Sequence, residues 1–509
     1  MRRQRRALYD YLVRTVRERH VDTPRIWKNL GYRFEDQLPA LKQEFIQAAT
    51  LPALQLALFH LGNSLHNPHC FFRARRLPHR LDAGFDLAVE WIGGAPRFYV
   101  SAIRLPRLKQ ILHVGDRLVR LEGVNAPQIL NAFRLSSNAN NPKRLAVDLA
   151  FYLTHPLQWE RHKLSRHAPW IFRRPGGKEL EVVPRWTRWQ RPRYWWVERQ
   201  FDYARPWCER YLRRAYPSGY RLQSSGINFC LYTSDRAPYR HYPIVRQFSF
   251  KYTLRNRGVG PIRNTTQFVM ADYHNLAANL RRLKGVKGVI LDLRRNLGGN
   301  SWNWFLEWWA PRPWKGMTIE LRLDRDVANR WRRSLGRFTN RSWKQRIRWY
   351  LDSLDLARPG QRFSRRRPLF CGADSCTGPN RFTPRRRILP VPVALIVGPL
   401  CSSSCDLFVR VFDENEFGPI IGEPSDSGTT IQRDRIWVRS PRYGPLGYLR
   451  IALSREYSGR TGKRMEGVPV HVDYPLAPTF ANRQHYDRQV VDQALRAFRE
   501  FRFPGRDRE

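Results

Sequence analysis

Lysine is scarce in this chain of 509 residues: it fills 12 of 91 basic positions, and arginine fills the rest against 43 acidic residues. The formal net charge is +48. Arg and Lys serve equally as phosphate point charges, so an excess carried by Arg alone points to coding composition at least as much as to nucleic acid. Cysteine is also rare. Seven residues exclude a disulfide-built scaffold, and the odd number leaves at least one thiol free or paired between chains. Cys371 and Cys376 flank a short loop and form a candidate bridge. A long apolar run is missing too: the longest uncharged stretch, Phe45 to Phe72, is broken by Pro52, His60, Asn63, His66 and Asn67. Such a segment suits a buried helix and not a membrane span. The basic N-terminus has no apolar segment behind it, so the chain as written is not expected to carry a signal peptide unless a leader was removed. What is present is core-forming material. With 42% hydrophobic and 13% aromatic residues the chain is globular, long enough for about two to four domains.

The periodicity predicts two helices between Thr23 and Leu65, broken at Pro52, and then a loop from Asn63 to His69. This N-terminal helical region is expected over residues 1–84. Strand-like runs follow in FDLAVEWI, RFYVSAI and DRLVRLEG, within an expected unit of residues 85–154. The segment His113 to Asn125, followed by the helix-like PQILNAFRL, resembles the second half of a PDZ domain; an unrelated hairpin has the same pattern. An Arg/Trp-rich linker is expected over 155–237. Its aromatics, interleaved with Arg, suit base stacking and equally cation–π pairs within a folded linker. From residue 238 to 509 the pattern is α/β, with an Arg/Trp-rich insertion at about 311–387. Apolar strands at Gly288–Leu293, Val391–Val397 and Gly418–Gly422 alternate with helices, the arrangement of a sheet covered on both faces. No internal repeat or low-complexity run interrupts it.

Three segments carry chemistry. A Ser-rich turn, Ser402-Ser403-Ser404-Cys405-Asp406, joins a buried strand to a helix, where free N–H groups favour a developing oxyanion. Serine is also among the best helix caps, so taken alone the turn is equally structural. Paired glycines, Gly298 and Gly299, follow the strand that ends near Asp292, and suit either an N–H-lined anion pocket or a tight turn with Asp292 and Arg294 as local partners. His66 and His69 lie in the loop after the second helix, where either is a structural histidine or a base.

Together these segments resemble the carboxyl-terminal processing (tail-specific) peptidase family, whose core also occurs in tricorn-type proteases. The family's Asp-x-Arg-x-Asn-x-Gly-Gly motif is matched by Asp292, Arg294, Asn296, Gly298 and Gly299, and its Ser-rich turn ending in an acid by Ser402 to Asp406. Its Gly-Glu-Pro loop is matched by Gly422 to Gly428, and a Glu-Gly segment near the C-terminus by Glu466 to Pro475. The resemblance runs from about Glu44 to Phe501 and leaves the two Arg/Trp-rich stretches unmatched. It implies a multidomain α/β fold with a ClpP/crotonase-like core, an N-terminal helical segment and a PDZ-like domain. It also implies a bacterial, periplasmic or otherwise extracytoplasmic setting.

Members with a Ser–Lys dyad have Lys directly after the Gly of the Gly-Glu-Pro loop. Here Gly428 is followed by Thr429 and Thr430, and no Lys lies between Lys344 and Lys463, so the dyad is excluded there. The resemblance then implies the Ser–His–Glu branch, whose Asp-x-His motif is matched by Asn67-Pro-His69 with Asn in place of Asp. It makes Ser403 the nucleophile, with Ser402 and Ser404 as alternatives, and His69 the general base. Glu466 is expected to orient the imidazole directly or through a bridging hydroxyl, with Glu456 as its alternative. The backbone N–H groups of Ser404 and of Gly298 or Gly299 form the expected oxyanion hole. No cofactor and no metal is expected, since the histidines show no HExxH pattern and Cys401-x3-Cys405 lacks a second ligand pair. Those two cysteines are read as packing residues, with a Cys nucleophile as a minor alternative. The expected partner is a polypeptide substrate, with acidic proteins as candidates, without an obligatory nucleic acid or a transmembrane segment. The competing readings are a catalytically inactive peptide- or envelope-binding member of the fold and a basic nucleic-acid-binding protein.

Overall fold

The structure, a computed structural model, describes residues 1–21, 24–75, 80–157, 169–188, 208–209, 216, 219–226, 228–250, 265–299, 302–337, 341–369, 381–384 and 387–501. Cys371, Cys376 and much of the Arg/Trp-rich stretch between 155 and 237, including residues 189–207, lie outside these residues.

The chain opens with four helices: α1 (Arg2–Arg19), α2 (Pro24–Leu30), α3 (Phe34–Gln47) and α4 (Leu51–Asn63). The stretch predicted as two helices thus holds three. Gly31, at φ 77°, ends α2 because a left-handed residue cannot continue a right-handed helix. Pro52 does not break a helix; it sits at the start of α4, where its missing N–H costs nothing, and Thr50 caps that helix by accepting from Ala53 N. After α4 the chain turns through the His66–His69 loop into strand β1 (Phe71–Ala74).

An antiparallel sheet comes next: β2 (Phe85–Ile92), β3 (Ala95–Ile103), β4 (Arg117–Leu121), β5 (Trp170–Arg173) and β6 (Glu179–Val182) lie in that order, with Val124–Asn125 beside β4. The last two strands come from the stretch expected to be a linker. Helix α5 (Pro142–Thr154) packs on β2, and Phe85, Phe98, Trp170 and Phe172 bury a core separate from the main one.

The second sheet has seven strands. An antiparallel pair, β7 (Tyr220–Ser225) and β8 (Phe229–Ser234), leads into parallel strands β9 (Ile244–Gln247), β10 (Val289–Asp292), β11 (Val393–Val397), β12 (Ile420–Gly422) and β13 (Tyr474–Pro475). β10 and β11 are buried at every position, as strands covered on both faces are; β11 is uncharged throughout and β10 is apolar up to its last residue, Asp292. One face meets the final helix, Tyr486–Glu500, through Ile290, Ala394 and Ile396; the other meets the large core through Leu291, Leu395 and Val397. Trp314, Ile319, Val327 and Tyr350, from within 311–387, belong to that large core. Beside it stands a three-stranded antiparallel sheet in which Gly444–Ala452 lies between β1 and Arg433–Ser440. Among the described residues no helix is long and apolar enough to cross a membrane.

Candidate active site

β10 and β11 run parallel with Asp292 opposite Ile396, so the loops that follow them emerge side by side. Asp292 anchors the first loop. Arg294 grips both its carboxylate oxygens at 3.0 and 2.8 Å, and Tyr216 and Arg246 add 2.6 and 3.2 Å bonds. Burial opposes ionisation of this carboxyl, but the two arginines outweigh burial and hold it well below the usual carboxylate range. Asn296 ties the loops together: its side chain donates to Gln247 O (3.0 Å) and accepts from Gly298 N (2.8 Å), while its own carbonyl accepts from Ser402 N (3.1 Å). A Cβ at Gly298 would fall 2.6 Å from Ser402 O and 2.7 Å from Ser404 N, which leaves room for glycine alone. The positive φ of 84° asks for the same residue.

Ser403 stands at the start of the following helix, Ser404–Glu414, with φ 60° and ψ −121°. A non-glycine residue in this region costs about 1–3 kcal/mol and is held there only by surrounding structure. Its side chain makes no capping bond to the helix it precedes. Instead Ser403 Oγ lies 2.8 Å from His69 Nε2, across 334 residues of sequence. The neighbouring hydroxyls point elsewhere: Ser402 Oγ donates to Asp426, and Ser404 Oγ to Gly299 O. Asp406 ties the helix to the Gly422–Gly428 loop by accepting from Ser425 Oγ and from Ser427 N.

His69 is buried and enters from the α4–β1 loop. Asn67 sets that loop. Its Oδ1 accepts from His69 N (2.9 Å), and its Nδ2 donates to Glu466 Oε1 (3.1 Å) and Thr430 Oγ1 (2.9 Å). Arg450 Nε donates to His69 O (2.6 Å), and Asn138 Nδ2 brackets the loop through Asn67 O and Cys70 O. Burial first, then the Arg433 and Arg450 guanidinium groups, push the imidazole pKa well below its usual value.

The expected acid does not meet the histidine. Glu466 Oε2 accepts from Thr429 N and Thr429 Oγ1 at 2.7 Å each, and its other oxygen takes Asn67, so it reaches His69 through Asn67 and the backbone. Glu456 accepts from Ile431 N (2.9 Å) and from Ser454. His69 Nδ1 is buried without a hydrogen-bond partner, so no threonine hydroxyl bridges it to either carboxyl group. Of the expected anion donors, Gly298 is engaged: its N–H already donates to Asn296.

Cys401 and Cys405, read from sequence as packing residues, are joined in a disulfide across one turn, with Ser403 midway between them. Two cysteines four apart that bracket the serine were the available signal, but that spacing is equally that of two residues on one helix face. Cys208 and Cys230 form a second bridge, and Cys70 is free and buried.

A parallel α/β sheet that presents a histidine-paired serine at a helix N-terminus defines a serine hydrolase. More narrowly, residues 259–474 match the model of peptidase family S41, and the match supports a serine peptidase of the tail-specific kind, acting on polypeptides. The whole fold is similar to that of mature CPAF, at 14% identity and a TM-score of 0.69, covering 99% of each chain. CPAF complexed with lactacystin gives the same identity and score over 98% of each chain. The photosystem II D1 C-terminal processing protease aligns over 93% of each chain at 12% identity, with a TM-score of 0.37. No curated protein matches the sequence.

Proposed function

We propose that the protein hydrolyses peptide bonds through an acyl-enzyme on Ser403, with His69 as general base. The supporting observation is the 2.8 Å contact between His69 Nε2 and Ser403 Oγ, made by a serine that leaves its own helix uncapped. The depressed imidazole pKa keeps the ring neutral and able to accept the Oγ proton. As Ser403 attacks the carbonyl, the proton passes to Nε2 and is then returned to the leaving amine. The backbone N–H groups of Ser404, first in the helix, and of Gly299 are the oxyanion donors in this reading; one such donor is typically worth about 3 kcal/mol in the transition state. Glu466 is a positioning residue, acting on the His69 loop through Asn67. Residues 85–154 are read as a PDZ-like module, which meets that loop through Asn138.

The test is labelling by a fluorophosphonate probe, followed by cleavage of an unfolded polypeptide. Wild-type protein is expected to label and cleave, and Ser403→Ala and His69→Ala to do neither. Unlabelled wild type, or labelling that survives Ser403→Ala, overturns the assignment.

A further inference from the structure

The sheet formed by β1, β14 (Arg433–Ser440) and β15 (Gly444–Ala452) has one face in the main core, through Phe72, Ile436 and Leu449. The outward face is of opposite character. Phe71, Arg450 and Arg435 form one rung across the three strands, and Arg73, Tyr448 and Trp437 form the next. Arg433 extends the patch on β14. No Asp or Glu occupies an outward position of these strands; Asp434 faces the other way, toward Arg19 and Arg330. Among the described residues the side chains of Arg73, Arg433 and Arg435 form no ion pair or hydrogen bond.

This arrangement costs stability. Arg435 and Arg450 are directly opposed like charges, a destabilising cross-strand pair. Burial and the neighbouring Arg433 push the Arg450 guanidinium down to about 10. Trp437 is 67% exposed on the same face. The aromatic rings lie beneath the cations: Arg450 sits 4.0 Å from the Phe71 ring centre and Arg435 4.9 Å from that of Tyr448. The patch also begins at the site, because Arg450 already holds the His69 carbonyl and β1 starts two residues after His69.

We propose that this outward face is a docking surface for an acidic segment of the polypeptide substrate, held by Arg73, Arg433 and Arg435 next to the His69–Ser403 pair. Charge complementarity selects the occupant: uncompensated guanidinium groups pair with carboxylates, and the flat aromatic surface takes the intervening side chains. Extended chain lying here would run beside β1, which begins two residues after His69. The inference rests on the peptidase reading, and it extends that reading to the class of substrate.

Binding separates the two. Anisotropy of a short fluorescein-labelled Asp/Glu-rich peptide, and of its Asn/Gln counterpart, is measured on the full chain and on two double variants. Arg73→Glu with Arg435→Glu reverses the patch; Arg325→Glu with Arg333→Glu makes the same change in net charge on an exposed helix elsewhere. The acidic peptide is expected to bind wild type and the second variant alike, and the patch variant roughly ten-fold more weakly, with the wild-type difference shrinking as salt rises. Fluorophosphonate labelling of wild type is measured in parallel, and its absence there would count against the peptidase reading alone. Equal weakening by both variants would reduce the effect to overall charge and overturn the proposal. So would a short oligonucleotide that displaces the acidic peptide at lower concentration than the unlabelled peptide does, since the occupant would then be nucleic acid.

Discussion

Asn67 does at once what an aspartate could not. Its amide accepts from His69 N and donates to Glu466, so one side chain joins the histidine loop to a buried carboxyl. A carboxylate at 67 would still accept from His69 N but would face Glu466 with a like charge in a buried setting. Asn67→Asp is therefore expected to slow fluorophosphonate labelling by roughly ten- to a hundred-fold, the size of a buried hydrogen bond to a charged group turned repulsive. Labelling of Asn67→Asp at the wild-type rate would remove Asn67 from the positioning of His69. Gly298 gives a sterically sharper case. An added methyl meets the backbone of Ser402 and Ser404, which cannot yield as a flexible side chain would. Gly298→Ala is expected to abolish labelling while the melting temperature falls by only a few degrees, because the clash is confined to one turn. Retained labelling would mean that the two loops separate freely and do not fix Ser403.

The helix after Ser403 is the element on which the site depends, and it was legible for a physical reason. Five buried, uncharged residues, Val393 to Val397, end at a glycine, and serines and an acid follow at a helix start. Strand, turn and helix are encoded locally, so composition and spacing suffice to read them. The same holds for the strands of the β2–β4 region. What was not legible is set by distant chain: Arg450 on the His69 carbonyl, Asn138 across the loop, and a Glu466 that stops at Asn67. The extra helix α2 was missed because its seven residues are shorter than a periodicity window. The Cys401–Cys405 bridge was missed because two cysteines four apart suit packing as well as pairing. Its location carries a prediction. The bridge closes the turn that holds Ser403 at positive φ, with both cysteines buried. Replacing both by Ala is expected to cost about 2 kcal/mol of stability by chain entropy for so small a loop. The labelling rate should fall more steeply than that loss of folded protein explains, since freeing the turn lets Ser403 leave its strained conformation. A labelling rate unchanged at temperatures where the variant is fully folded would show the bridge to be irrelevant to Ser403.

At the scale of the whole molecule, the site is a junction of three bodies. The helical N-terminus supplies His69 and the main sheet supplies Ser403. The β2–β6 body reaches in through Asn141, which donates to Asp426 O (2.9 Å), and through Arg144, which pairs with Asp426 at 3.8 Å and donates to Pro399 O (3.2 Å). Bringing these parts together buries titratable groups of both kinds, and their signs make a testable pattern. Burial holds His20 and His66 down to about 3, and His69 well below 6.5. The folded state therefore excludes protons that the unfolded chain binds, so this stabilisation is complete above pH 6.5 and is lost as pH falls below it. Glu456 is raised to about 8, by burial and then by Glu466, and Asp426 to about 7, mainly by burial. Here the folded state keeps protons that the unfolded chain releases near pH 4, so the stabilisation is complete at acid pH and is lost as pH rises through 7 and 8. Between pH 6.5 and 8 these histidines are neutral in both states, and the two carboxyl groups decide the slope. The melting temperature is expected to fall across that window, by the equivalent of about 1.4 kcal/mol per pH unit for each group while it stays protonated in the folded state. Glu456→Gln keeps an acceptor for Ile431 N and cannot ionise, so it should flatten its share of the fall, which ends near pH 8. A melting temperature that is level or rises from pH 6.5 to 8.5, or a Glu456→Gln profile parallel to wild type, would mean that these carboxyl groups are ionised in the folded protein.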